Sequence, residues 1–120
     1  MKGVSAGIDI VSIERIKKAC CRPGILERIF TKNELERAFS GRDPFKRLAG
    51  RFAAKEAFLK AIGTGLSKGI RWKDVEVVKD PAGRPLVKAG FAAEKILGKR
   101  IAHASIAYEK DYAIATVKIE

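Results

Sequence analysis

Residues 51–65 read RFAAKEAFLKAIGTG, and the rest of the chain is organised around this stretch. It is the second half of a helix expected to begin near Pro44 and to run out at Gly63-Thr64-Gly65. Ala49, Ala53, Ala54, Ala57, Leu59 and Ala61 are strong helix formers, and glycine just past the last turn is a common helix stop. Phe45, Leu48, Phe52, Leu59 and Ile62 recur at helical spacing, which predicts one apolar stripe. Glu56 and Lys60 fall one turn apart at its edge, beside Ala49 and Ala53. By spacing alone they form a surface pair contributing about 0.2–0.5 kcal/mol to the helix. Set among small residues, they also form a polar pair that a ligand or a second backbone can approach closely. Periodicity leaves both readings open.

Working outward, residues 4–11 alternate, with Val4, Ala6, Ile8 and Ile10 on one face and Ser5, Gly7 and Asp9 on the other. This is the pattern of a half-buried strand, with the first set expected toward the core and Asp9 projecting from the other face. Ser12 is the expected N-cap of a helix from Ile13 to Cys20 that turns Ile13, Ile16 and Cys20 inward and ends at Pro23-Gly24. Thr31 with Glu34 has capping-box spacing and opens a helix whose buried positions are Leu35, Ala38 and Phe39. Lys46, Arg47, Arg51 and Lys55 make the first turns of the long helix a candidate anion surface. Beyond Gly69 the chain turns to strands. Val75 to Val78, the turn DPAGRP at 80–85, a short strand at 85–87, a short helix at 90–98, and a hairpin of 101–108 with 112–119 follow in order. The expected architecture is α+β, a mainly antiparallel sheet with helices on one face, including one long central helix.

At 120 residues the chain is one domain, 1–120, with an ordinary apolar fraction of 47%. No run approaches the ~20 apolar residues that cross a bilayer, and the N-terminus lacks a cleavage-like small-residue site. Cys20 and Cys21 are adjacent with no third cysteine, so two reduced thiols in a cytoplasmic protein are expected. The net charge of +11 points to a polyanionic partner: nucleic acid, an anionic membrane, a phosphorylated small molecule or an acidic protein. Arg15, Lys17, Lys18, Arg22 and Arg28 read either as a solvated face or as a docking surface for an acidic helix. Walker A, GxGxxG and metal-spaced Cys/His motifs are absent, and the single histidine, His103, gives nucleophilic catalysis little support. Aromatics do not interleave with the basic residues, so the case for a basic nucleic-acid-binding domain without enzymatic activity is charge alone.

GIDIVSIERI at 7–16 and RFAAKEAFLKAIGTG at 51–65 resemble the two signature segments of the holo-[acyl-carrier-protein] synthases, the small bacterial 4′-phosphopantetheinyl transferases. DPAGRP at 80–85 and HASIAYEKDYAIA at 103–115 resemble further segments of that family, in the right order. The resemblance implies the 4′-phosphopantetheinyl transferase fold and transfer of the 4′-phosphopantetheine moiety of coenzyme A to a serine of apo-acyl carrier protein, in support of fatty acid biosynthesis. It implies a magnesium ion, with manganese suited to the same oxygen site, held by Asp9 and Glu56, and a catalytic role for Lys60 beside them. For coenzyme A it implies Lys46, Arg47, Arg51 and Lys60 at phosphates, Gly63, Thr64 and Gly65 against the nucleotide, and Gly83, Arg84 and Pro85 at the adenine. Arg15, Lys18, Arg22 and Arg28 become the carrier-docking residues. A homotrimer with sites at subunit interfaces, and no nucleic acid or membrane as partner, are implied as well. Where the family pattern closes a strand with histidine, this chain has Tyr108, and Ala107 replaces a small hydroxyl residue. Both family positions belong to the coenzyme phosphate region.

Overall fold

The computed structural model describes residues 3–120. Strand β1 (Ser5–Ser12) leads into helices α1 (Ile13–Cys20), α2 (Ile25–Ile29), α3 (Lys32–Phe39) and α4 (Pro44–Ile62). After a loop and a 3-10 turn (Trp72–Asp74) come β2 (Val75–Lys79), β3 (Pro85–Ala89), α5 (Phe91–Leu97), β4 (Ala102–Glu109) and β5 (Tyr112–Ile119). The sheet has the order β1-β5-β4-β3-β2 and every pairing is antiparallel, which matches the expected α+β class. The first strand pairs with the last, Ser5 opposite Ile119 and Ser12 opposite Tyr112.

Local chemistry sets the helix ends. Ser12 accepts from the Arg15 N–H at 3.3 Å, and Thr31 and Glu34 form a complete capping box. Pro44 lies in the first turn of α4, and the Gly63 N–H closes its end on the carbonyls of Leu59 and Lys60. The single apolar stripe expected on α4 is too narrow. Leu48, Ala49, Gly50, Ala53, Ala54, Ala57, Phe58 and Leu59 are all buried, whereas Phe45, Phe52 and Ile62 are only partly so. The helix packs on β1, β5 and β4 and also against α1 and α3. Its alanines are contact surface.

Three expectations fail on burial. Phe39 is 48% exposed and makes an edge-to-face contact with Phe45 at 5.9 Å. Lys55 does not belong to a surface; it is fully buried against Glu34, at 2.8 Å. Most consequential, β1 is turned over relative to its expected orientation. Val4, Ile8 and Ile10 are 65%, 60% and 58% exposed, and the Ser5–Gly7–Asp9 face is the one against α4. Gly7 explains the inversion. A Cβ there would collide with the Ala57 carbonyl oxygen and stand 2.9 Å from the Ala61 nitrogen. Strand backbone and helix backbone therefore meet directly, and the isoleucines are left on the open face of the sheet.

Candidate active site

The inverted strand carries Asp9 to α4. Lys60 donates to Asp9 Oδ1 at 2.8 Å and to the Ile8 carbonyl at 3.1 Å. The Asp9 side chain is 15% exposed and that of Lys60 is 55% exposed. Glu56, one turn before Lys60, faces the same place. Its carboxyl pKa is raised, first by burial and then by the charge of Asp9, with Lys60 opposing. The Lys60 ammonium is held protonated chiefly by its hydrogen bond to Asp9. Two carboxylates thus share a cleft, and one of them already carries a cation.

Glu56 stands where two cavities meet. One, about 620 Å³ between α1 and α4, is lined by Asp9, Ser12, Arg15, Phe52, Glu56 and Tyr112, among others. The other, about 470 Å³, is lined by Glu56, Leu59, Lys60, Gly63, Gly65, Leu66 and Trp72. Among the described residues no group of three or more His, Cys, Asp or Glu gathers as a metal cage. The donor set nevertheless suits magnesium, which takes oxygen ligands, keeps waters and is commonly completed by substrate phosphates.

The remaining residues expected at the coenzyme lie elsewhere. Arg47, Arg51, Gly83, Pro85 and Tyr108 line a third cavity of about 380 Å³, together with Arg37, Val77, Val78, Lys79 and Ile106. Arg51 Nε is buried without a hydrogen-bond partner, and burial pushes that guanidinium below its ordinary pKa. Burial also raises the Tyr108 hydroxyl, against the pull of Arg51 and Arg47. Lys46 stacks its ammonium 4.9 Å from the Tyr108 ring centroid. Thr64 spends its hydroxyl on the Gly65 carbonyl, and Arg84 is paired with Asp80 at 3.0 Å; neither lines these cavities. Arg15, Lys18, Arg22 and Arg28 are all exposed, but only Arg15 borders the Asp9–Glu56 cleft. Arg28 lines an adjoining cavity with Leu66, Ile70, Arg71 and Trp72, of which Leu66 and Trp72 also line the Glu56–Lys60 cavity. Sequence reading missed Arg37, Lys79 and Trp72, which reach these cavities from α3, β2 and the 3-10 turn.

Tyr108 has its place because position 50 has no side chain. A Cβ on Gly50 would collide with the Tyr108 hydroxyl oxygen and stand 2.9 Å from Ile106 Cγ2. Glycine inside a helix ordinarily costs about 1 kcal/mol relative to alanine. Here Gly50→Ala should instead destabilise by about 1–3 kcal/mol through overpacking. In a Tyr108→Ala background the same substitution should cost less, with only the Ile106 contact left to relieve. Urea titration of the four proteins checks this, and a stabilising Gly50→Ala in the presence of Tyr108 contradicts it.

With this geometry in hand, the comparisons with known proteins are specific. A model of the 4′-phosphopantetheinyl transferase superfamily matches residues 5–117, and the chain belongs to that superfamily of transferases. Its relatives carry a narrower name. The chain is 44% identical over 122 residues to the holo-[acyl-carrier-protein] synthase of Koribacter versatilis, covering 98% of each chain. It is 49% identical over 118 residues to that of Carboxydothermus hydrogenoformans, covering 92% of this chain and 93% of the relative. The crystal structure of a holo-(acyl-carrier-protein) synthase from Bacillus anthracis in complex with CoA (3′,5′-ADP) superposes with a TM-score of 0.80 at 38% identity, covering 97% and 95% of the two chains.

Proposed function

We propose that the whole chain is one transferase domain that moves the 4′-phosphopantetheine arm of coenzyme A onto a serine of apo-acyl carrier protein and releases adenosine 3′,5′-bisphosphate. In this reading the reaction supports fatty acid biosynthesis and depends on a divalent ion, magnesium or manganese. The observation that carries it is the meeting of Asp9 and Glu56, far apart in sequence, in one cleft with Lys60 paired to Asp9.

Asp9 and Glu56 would hold the ion. When bound it supplies neutralisation and polarisation of the phosphate under attack. The serine oxygen forms a bond to the coenzyme's β-phosphorus as the bond to the leaving 3′,5′-bisphosphate oxygen breaks. The serine proton passes through a water held by Glu56 to that carboxylate, and Lys60 offsets charge on the departing phosphate. Such a transfer is mainly positioning and electrostatics, which suits a cleft built around two carboxylates and an ammonium.

Two features support an assembly with shared sites. Arg51 and Glu56 are five residues apart on one helix, so their side chains leave it about 140° apart. The arginine cavity and the carboxylate cleft accordingly share no lining residue. A ring of identical subunits with head-to-tail contacts brings one chain's clefts to its neighbour's arginines. The open sheet face, with Val4, Ile8 and Ile10 exposed, offers the apolar surface for such contacts. Burying one isoleucine is worth about 1.5–3 kcal/mol. The ring is proposed on this basis, and its size, three subunits, is what the family resemblance implies.

No helix is long and apolar enough to cross a membrane among the described residues. The +11 charge and the exposed cations of α1 suit a small acidic carrier. Incubation with coenzyme A, magnesium and apo-acyl carrier protein should add the mass of phosphopantetheine to the carrier, and an unmodified carrier sinks the reading. Arg15→Glu with Lys18→Glu should raise the carrier KM at least about tenfold and leave the coenzyme KM near its original value. Equal losses for both substrates would contradict the docking assignment.

A further inference from the structure

The position before Glu56 holds a charge that, with Glu34, is the least exposed among the described residues. Lys55 and Glu34 are each fully buried. The ammonium's three N–H donors meet three acceptors: Glu34 Oε1 at 2.8 Å, the Trp72 carbonyl at 3.2 Å, and the Val75 carbonyl. Glu34 is as fully engaged. Its Oε1 also accepts from the Thr31 N–H at 2.9 Å, and its Oε2 accepts from the Val77 N–H at 2.8 Å. Burial drives the Lys55 pKa down and Glu34 opposes that shift.

The groups this pair grips are the walls of the two separate cavities. Trp72, whose carbonyl Lys55 holds, lines the Glu56–Lys60 cavity and packs on Phe52 with ring centroids 5.0 Å apart. Val77, whose N–H Glu34 holds, lines the arginine cavity with Val78 and Lys79. Arg37, one turn after Glu34 on α3, reaches that same cavity. Helix α4 supplies Arg47 and Arg51 to one cavity and Glu56 and Lys60 to the other. An apolar pair would fill this volume at no greater cost, since buried ion pairs seldom add net stability. What an ion pair with fixed hydrogen bonds adds is direction.

We propose that Lys55 and Glu34 are a positioning pair, fixing Trp72 and β2 relative to α4 so that each cavity keeps the shape that its part of coenzyme A needs. The inference rests on the coenzyme-transfer reading. A native protein that modifies no carrier sinks that reading, whereas an active native protein with unaffected variants sinks only the positioning role.

The test replaces the pair with apolar residues, Lys55→Met with Glu34→Leu, and measures heat stability and both Michaelis constants on the assembled protein. The expected result is a folded protein whose KM for coenzyme A rises about tenfold or more while its KM for the carrier holds. A folded variant with a native KM for coenzyme A overturns the proposal. If that variant does not fold, Lys55→Arg takes its place, because a planar fork keeps the charge but cannot reproduce three bonds from one point. A raised coenzyme KM at near-native Tm is then expected, and a native one overturns the proposal. Loss of folded protein in both variants overturns it too, since the pair then serves stability alone.

Discussion

Glu56→Gln should abolish transfer while the protein becomes more heat-stable. The loss of activity is expected to exceed about a thousandfold, the scale on which removal of a preorganised charge at a phosphoryl-transfer site is felt. The gain in stability follows from the sign of the pKa shift. Burial and Asp9 raise the Glu56 carboxyl above its ordinary value. The folded chain therefore binds that proton more tightly than the unfolded one, and stability falls as pH rises through the window between the ordinary and the raised value. Above that window the charged carboxylate opposes folding, and glutamine removes the opposition. Calorimetry of the metal-free proteins at neutral pH and again at acid pH reads this directly. The Tm advantage of the variant should be present at neutral pH and shrink as Glu56 protonates. A variant that is both inactive and less stable at neutral pH would mean that Glu56 holds the fold, contrary to its assignment to the site. Function placed at the expense of stability is the usual mark of an active-site group.

What was legible in the sequence was local. Ser12, the Thr31–Glu34 capping box, Pro44 and Gly63 each act within one turn of chain, and each helix end they predict is where the structure has it. The faces of elements were less legible. Alternation along 4–11 says which residues share a side but not which side is covered, and Gly7 against Ala57 decided that question through a contact fifty residues away. Lys55 was hidden for a related reason. A lysine in a basic run reads as solvated, and Glu34 already had a complete explanation as a capping residue. The Asp9–Glu56–Lys60 cluster was visible through family resemblance, since spacing alone made Glu56 and Lys60 an ordinary surface pair. Arg37 and Lys79 had no local signal at all, because their cavity is assembled by α3, α4, β2 and β4 together.

Two defective chains should restore each other when mixed and assayed at a coenzyme A concentration well below the KM of the Arg51→Ala protein. Arg51→Ala removes a guanidinium from the arginine cavity, and the loss of its charged contacts to phosphate is expected to cost about 10- to 100-fold in coenzyme affinity. Glu56→Gln disables the carboxylate cleft and leaves the arginine cavity intact. If one coenzyme lies across two neighbouring chains, a site works whenever a chain with native Glu56 meets a neighbour with native Arg51. In a ring refolded from equal amounts of the two variants, about one site in four has that arrangement, so roughly a quarter of native activity should return. Refolding each variant alone under the same conditions gives the baseline. The outcome separates two geometries that a single chain leaves side by side. With shared sites, activity appears only on co-refolding and scales with the product of the two variant fractions. With sites confined to one chain, every mixture is as inactive as its parts, and the division of the coenzyme residues between two faces of α4 would need the ligand to wrap around the helix. The helix is buried on most of its circumference by the sheet, α1 and α3, which leaves no such path, and recovery near a quarter is therefore the expected result.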